Sequence, residues 1–62
     1  MSNKIYRLKD VINATGLSRS SIYLLMRDDK FPKNILLGAR SVGWLQISID
    51  QWIEGRIAAS QS

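Results

Sequence analysis

In the first half of the chain, apolar residues recur at the three- and four-residue spacing of an amphipathic helix. The first set, which predicts a helix over residues 8–14, is Leu8, Val11 and Ile12. The second set, which predicts a helix over about residues 19–28, is Ile22, Leu25 and Met26. Between them, Gly16 supplies the left-handed position that commonly ends a helix, and Ser18 is a good N-cap for the next one. The pattern therefore predicts two short helices joined by a tight turn.

In the second half, an alternating pattern is followed by another helical one. Residues 35–37 and 42–45 are β-like segments that flank Gly38-Ala39-Arg40-Ser41, which predicts a hairpin. Phe31-Pro32 ends the preceding helix, because a residue before proline is disfavoured in the α region. The chain closes with a predicted helix over about residues 48–58 and a frayed polar tail. The helical spacing of Ile49, Trp52, Ile53 and Ile57 indicates this helix. The spacing of Ser48 and Gln51 is that of a capping box at its start.

The predicted order of elements is helix, helix, hairpin, helix. This order is that of a winged helix-turn-helix, a mainly α fold with a small β-hairpin and a candidate DNA-binding domain. The 62 residues form one predicted domain, 1–62, near the lower limit for a single hydrophobic core. We find no internal repeat and no linker that would divide it.

Composition narrows the classes of function. The chain has no cysteine and no histidine, which excludes disulfides, cysteine zinc sites, hydrolytic triads and thiol chemistry. The close carboxylate pair Asp28-Asp29 falls at a helix end and is more typical of a solvated turn than of an acid/base pair. We therefore expect no enzyme activity, no metal and no cofactor.

The charge of the chain suits a polyanionic partner. The net charge is +4, and residues 1–47 hold eight of the nine basic and three of the five acidic residues. The remaining residues are close to neutral, so the basic charge is concentrated in the first three quarters of the chain. We see no signal peptide and no apolar run of the ~18 residues that a membrane span needs, which predicts a cytoplasmic protein with no membrane partner.

The face of the second helix opposite its apolar stripe carries the strongest candidate chemistry. Arginine can pair with guanine edges or hold phosphate, serine can donate to either, and tyrosine can pack on sugar. An ordinary solvated helix face is the alternative, but such faces favour Glu and Lys, which are scarce here. The residues on this face are Ser20, Tyr23, Leu24 and Arg27, and the helix start adds Arg19 and the N-cap Ser18 as further candidates.

Two further basic segments could support DNA binding. Arg40 and Ser41 at the hairpin tip could reach a minor groove or a phosphate, although a plain turn with a solvated arginine is the alternative. Near the first helix, Lys4, Arg7 and Lys9 could rest on phosphates or form a solvated basic face. Trp44 and Trp52 lie on predicted apolar faces and are expected in the core, with stacking platforms for single strands as the alternative.

Several motifs in register resemble the AlpA family of phage and prophage regulatory proteins, over about residues 5–57. They are Arg7-Leu8-Lys9-Asp10-Val11, residues 15–23, Phe31-Pro32-Lys33, residues 37–44 and Asp50-Gln51-Trp52-Ile53. The resemblance implies a winged helix-turn-helix of the kind also found in MerR-type domains and phage excisionases. It also implies a transcriptional regulator of a mobile element, with residues 18–27 as the recognition helix and 38–41 as the wing. Some members promote excision, by activating an integrase gene or acting beside the integrase.

The chain departs from the family pattern at a few positions. Family members usually have arginine or lysine where this chain has Leu24, which could contact a thymine methyl or another protein. They usually have serine and then an acid where this chain has Ile47 and Ser48, so the helix cap here is expected to be displaced by one residue. Gln51 replaces a common acid.

Together these features predict a sequence-specific, double-stranded DNA-binding regulator of a prophage or integrated element. One alternative is an excisionase that bends DNA with an integrase, and a second is a protein that inhibits another regulator through Tyr23 and Leu24. Candidate partners are duplex DNA, an integrase and further copies of the chain bound cooperatively. The candidate DNA-binding residues are Lys9, Ser18, Arg19, Ser20, Tyr23, Leu24, Arg27, Arg40 and Ser41.

Overall fold

The computed structural model describes residues 4–61 and shows three helices and a small sheet. The elements are β1 (Ile5–Tyr6), α1 (Leu8–Thr15), α2 (Arg19–Arg27), β2 (Ile35–Leu36), β3 (Val42–Leu45) and α3 (Gln46–Gln61). This architecture confirms the mainly α fold with a hairpin, consistent with a winged helix-turn-helix. The two-residue strand β1 was not predicted.

The turn between α1 and α2 is held by the two predicted caps. Gly16 has φ of 74° in the left-handed region, and its N–H donates to the carbonyl of Ile12 at 2.8 Å. The Ser18 hydroxyl accepts the N–H of Ser21 at 3.2 Å, which satisfies one of the free donors at the start of α2. The three-residue turn therefore sets the angle at which α2 leaves α1.

The second helix ends in a Schellman motif, earlier than the Phe-Pro pair that was expected to end it. Asp29 has φ of 58°, and its N–H donates to the carbonyl of Met26 at 3.1 Å. The Lys30 N–H donates to the carbonyl of Leu25 at 2.8 Å, which completes the pair of bonds that defines the motif. The last helical residue is therefore Arg27, because an aspartate accepts the left-handed position usually taken by glycine.

The sheet has the strand order β1-β3-β2, and both pairs are antiparallel. In the wing, β2 and β3 pair with Leu36 opposite Val42. The loop between them is closed by the Leu37 N–H, which donates to the carbonyl of Ser41 at 2.7 Å. On the other side, β1 pairs with Tyr6 opposite Trp44. The central strand β3 therefore joins the wing to the start of the chain.

Gly43 lies on β3, where β1 packs close against the strand. A Cβ on Gly43 would lie 2.5 Å from Cγ2 of Ile5 and 3.1 Å from the carbonyl oxygen of Tyr6. The first atom belongs to a branched side chain with little freedom and the second to backbone, so neither can move aside easily. The sheet can close at this point because the residue has no side chain.

We expect Gly43→Ala to lower the free energy of unfolding by about 1–3 kcal/mol, because the added methyl group overpacks the sheet. Gly38→Ala is the matched control, since a Cβ there would meet nothing within 4 Å. It should leave stability unchanged or raise it slightly, through reduced entropy of the unfolded chain. Urea denaturation followed by circular dichroism measures both, and equal midpoints for the two variants would contradict the close packing at Gly43.

The third helix begins at Gln46, two residues before the predicted start at 48, and follows β3 directly. The backbone N–H of Gln46, the first of the helix, donates to the carbonyl of Lys4 at 2.9 Å. The side-chain amide of Gln46 donates to the Tyr6 hydroxyl at 3.3 Å. The pairing of β1 with β3 thus supplies an acceptor at the helix start. The predicted capping box was wrong, because Ser48 and Gln51 both lie inside the helix.

The same helix continues to Gln61, beyond the predicted end at residue 58. The expected frayed tail is therefore helical through residue 61, and Ser62 lies outside the described residues. Residues 54–60 are exposed, and Ile57, the last member of the predicted apolar set, is 51% exposed. Only the first half of α3 packs onto the body of the domain.

The core consists of five buried residues, and each comes from a different segment of the chain. Val11 lies on α1, Ile22 on α2, Phe31 in the segment after α2, Trp44 on β3 and Ile49 on α3. These positions confirm the helical stripes that the apolar pattern predicts. Because one side chain per segment meets at the centre, the relative placement of all elements depends on a small group of contacts.

Candidate nucleic-acid interface

The outer face of α2 is exposed along its whole length. Ile22 is fully buried, whereas Ser20, Leu24 and Arg27 on the opposite side are exposed. At about 100° per residue, Leu24 lies about 160° around the helix from Ile22. The helix therefore turns one stripe into the core and presents the predicted contact residues to solvent, as the sequence indicates.

Two of these contact residues touch each other on the flank of α2. The guanidinium carbon of Arg19 lies 5.8 Å from the centroid of the Tyr23 ring, which is a cation–π distance. The pair is separated by four residues, so both side chains lie on one side of the helix. This contact was not predicted, although the four-residue spacing is the signal that could have shown it. It places the Arg19 guanidinium beside the Tyr23 ring, on the flank of α2.

In the described part of the chain, the arginines of this surface have no acidic partners. Within residues 4–61 the one ion pair joins Lys33 to Asp29 at 3.1 Å, so no carboxylate holds Arg19, Arg27 or Arg40. Asp29 belongs to the exposed turn after α2, in agreement with the solvated-turn interpretation of Asp28-Asp29. The three arginines are therefore available to a polyanion without first breaking an ion pair.

Two indole rings hold the segment that follows α2. The Trp44 N–H donates to the carbonyl of Pro32 at 3.1 Å, and the Trp52 N–H donates to that of Lys30 at 2.8 Å. The rings of Phe31 and Trp52 meet edge to face, with centroids 4.8 Å apart. Trp44 is fully buried, so it belongs to the core and is not a stacking platform. Sequence reasoning missed that both tryptophans fix the segment after α2.

The wing presents one cation and an apolar edge. Arg40 is exposed at the tip, whereas Ser41 is half-buried and its carbonyl closes the loop. In β2 Leu36 is 80% exposed, whereas Ile35 in the same strand and Leu37 just after it are more covered, which agrees with the predicted alternation. The tip therefore offers Arg40 as its charged contact, and Ser41 is less accessible than the sequence suggests.

Basic residues near α1 extend the charged surface. Lys4, Arg7 and Lys9 are exposed. The backbone N–H of Arg7 donates to the carboxylate of Asp10 at 3.0 Å, so this nearby acid caps α1 and forms no ion pair with these side chains. Lys9 thus lies on α1, separate from the contact residues of α2.

The structure brings one group of the candidate residues together and leaves the rest on separate elements. The group on and beside the outer face of α2 consists of Ser18, Arg19, Ser20, Tyr23, Leu24 and Arg27. Arg40 and Ser41 belong to the wing, and Lys9 belongs to α1.

In the part of the chain that the structure describes, no group of three His, Cys, Asp or Glu residues could hold a metal ion. No helix in the same range has the length and apolarity for crossing a membrane.

The chain matches a known family and two curated proteins. Residues 4–57 match the model of the prophage CP4-57 regulatory protein (AlpA) family. The chain is 42% identical over 55 residues to an uncharacterized protein, ORF88, of Enterobacteria phage P4, covering 89% of this chain and 62% of that protein. It is 41% identical over 59 residues to the DNA-binding transcriptional activator AlpA of Escherichia coli (strain K12), covering 86% of this chain and 84% of that protein. With a family match over most of its length, the chain belongs to the AlpA family of prophage regulatory proteins.

Proposed function

We propose that this chain is a DNA-binding transcriptional regulator of a prophage or integrated element and that it recognises a specific duplex sequence. The observation that carries the proposal is the outer face of α2, where exposed arginine, serine and tyrosine side chains have no acidic partner among residues 4–61. The family and the E. coli relative, whose name describes a DNA-binding transcriptional activator, support the same function. Its place of action is the cytoplasm, where the DNA of such an element lies.

In this proposal α2 enters the major groove. Arg27, in the last turn of the helix, pairs with a guanine edge or with phosphate, and Ser20 donates near the helix start. The guanidinium of Arg19 lies over the Tyr23 ring. It is therefore already directed along the helix flank before DNA binds. Binding then loses less side-chain entropy than a freely rotating arginine would lose. Ser18 keeps its capping role and contacts the backbone beside it.

The wing and α1 hold the sugar-phosphate backbone in this arrangement. Arg40 extends from the tip of the wing to the adjacent minor groove or phosphate, and the Ser41 hydroxyl supports it. Lys9 on α1 rests against phosphate. These contacts position α2 without reading sequence. A module of this size reads few base pairs, so we expect repeated sites and cooperative binding of several copies.

The salt dependence of binding tests this function. With phosphate or base contacts from four cations (Lys9, Arg19, Arg27 and Arg40), the logarithm of the association constant should fall against log salt with a slope of about −3 to −4. Arg40→Ala should reduce the magnitude of that slope by about 1. Fluorescence anisotropy with a labelled duplex, selected by pull-down of fragmented host and element DNA, gives the slope.

Arg56→Ala is the matched control for this measurement. Arg56 lies on α3, where its guanidinium carbon is 5.8 Å from the centroid of the Trp52 ring. Its loss removes the same charge but should leave the slope unchanged. If no enriched duplex binds with an affinity that falls as salt rises, the alternative of a protein contact through Tyr23 and Leu24 is favoured. Enrichment at an attachment site with measured bending would identify an excisionase that acts with an integrase, and enrichment at a promoter would identify a regulator.

A further inference from the structure

Leu24 is an apolar side chain at the centre of a polar surface. It is 51% exposed and lies on the outer face of α2, with Ser20 one turn before it and Arg27 one turn after it. Leu24 is not among the hydrophobic side chains that pack against the five buried core residues. Its backbone carbonyl accepts the N–H of Asp28 at 3.2 Å, a bond that any residue could form. Among the described residues, Leu24 is therefore a surface side chain of α2 and not part of the packed core.

A leucine in this position limits what α2 can contact in a major groove. A side chain without donors or acceptors that covers a base edge strips water from polar atoms and gives them no new partner, which is unfavourable. The C5-methyl group of thymine is the apolar group that unmodified base pairs present in this groove. Contact with that methyl group removes apolar surface from water on both sides, which is favourable.

We propose that Leu24 is a specificity residue that selects thymine by contact with its C5-methyl group. This inference rests on the proposed function, because it needs α2 in the major groove. Along the helix axis, Ser20 lies about 6 Å and Arg27 about 4.5 Å from Leu24. Base pairs are stacked about 3.4 Å apart, so the selected thymine lies within about two base pairs of the positions that Ser20 and Arg27 contact.

The test removes the methyl group and nothing else. A duplex carrying the most enriched site from selection on random DNA is prepared, and each thymine in turn is replaced by deoxyuridine. For the wild-type protein, one or two adjacent replacements should weaken binding by about threefold to fivefold, the value of one buried methyl group. For Leu24→Ala, the same replacements should change affinity by less than about 1.5-fold, because the partner of the methyl group is gone.

Two further variants make the result specific to Leu24. Ile57→Ala truncates an aliphatic side chain with the same exposure, 51%, on α3 and should keep the full sensitivity to deoxyuridine. Leu24→Arg should lose the sensitivity and increase the magnitude of the salt slope by about 1, because it adds a phosphate contact.

The outcomes separate this inference from the proposed function. If wild-type protein binds duplex DNA with a steep salt slope but Leu24→Ala retains the sensitivity to deoxyuridine, the assignment of Leu24 is overturned and the DNA-binding function stands. The assignment of Leu24 is also overturned, and the DNA-binding function also stands, if no replacement of a thymine by deoxyuridine weakens binding. If wild-type protein shows no salt-dependent binding to any enriched duplex, the proposed function fails and the inference fails with it.

Discussion

Trp44→Ala is expected to unfold the protein at 25 °C. Trp44 is fully buried on β3 and donates its indole N–H to the carbonyl of Pro32. Truncation of a buried tryptophan typically lowers the free energy of unfolding by about 3–5 kcal/mol. The core of a domain this small supplies about the same amount in total. Far-UV circular dichroism and urea titration would show the loss of helix and of a cooperative transition.

Trp44→Phe is the matched variant for this prediction. It retains most of the ring but leaves the Pro32 carbonyl without its donor, which costs about 1–3 kcal/mol. This variant should remain folded in buffer and unfold at a lower urea concentration than the wild type. A cooperative transition for Trp44→Ala near the wild-type midpoint would contradict the central position of Trp44 in the core.

The double variant Arg19→Ala/Arg27→Ala is expected to lower the affinity for a cognate duplex by about 2–6 kcal/mol. Each arginine contributes about 1–3 kcal/mol if it reads a base, and the two lie at opposite ends of α2, so their effects should be nearly additive. Both side chains are exposed, so the unfolding midpoint should change little. Anisotropy titrations with the cognate and a scrambled duplex measure the loss.

Comparison of the two duplexes separates the roles of the arginines. If Arg27 reads a base, Arg27→Ala should weaken binding to the cognate duplex far more than to the scrambled one. If it holds phosphate, both should weaken alike. Arg56→Ala is a suitable control, because Arg56 lies on α3 beside the Trp52 ring and its loss should scarcely alter affinity. Unchanged binding by the double variant would show that α2 is not the recognition helix.

Local chemistry explains why the helix-turn-helix could be predicted. Gly16 and Ser18 act within one turn of their own positions, and the apolar spacing around Ile22 needs no knowledge of the rest of the chain. The outer face of α2 follows from the same spacing. The direct contact of Arg19 with Tyr23 depends on side-chain conformations, which spacing alone does not determine.

The elements that were missed depend on partners distant in sequence. The two residues of β1 carry too little pattern to predict a strand and become one only by pairing with β3. The same pairing places the Lys4 carbonyl beside the Gln46 N–H, which outweighs the capping signal of Ser48 and starts α3 two residues early. The half-burial of Ser41 likewise arises from closure of the wing loop.

The direct junction of β3 with α3 connects the position of the wing to the position of the last helix. Leu45 ends the strand and Gln46 begins the helix with no residue between them, so we expect a change in the tilt of α3 to change the tilt of the hairpin. Ile49, one turn into α3, is fully buried in the core, so its size helps to set the tilt of that helix. A change of side-chain size at Ile49 should therefore displace the Arg40 tip and alter DNA affinity, although the altered residue never approaches the DNA.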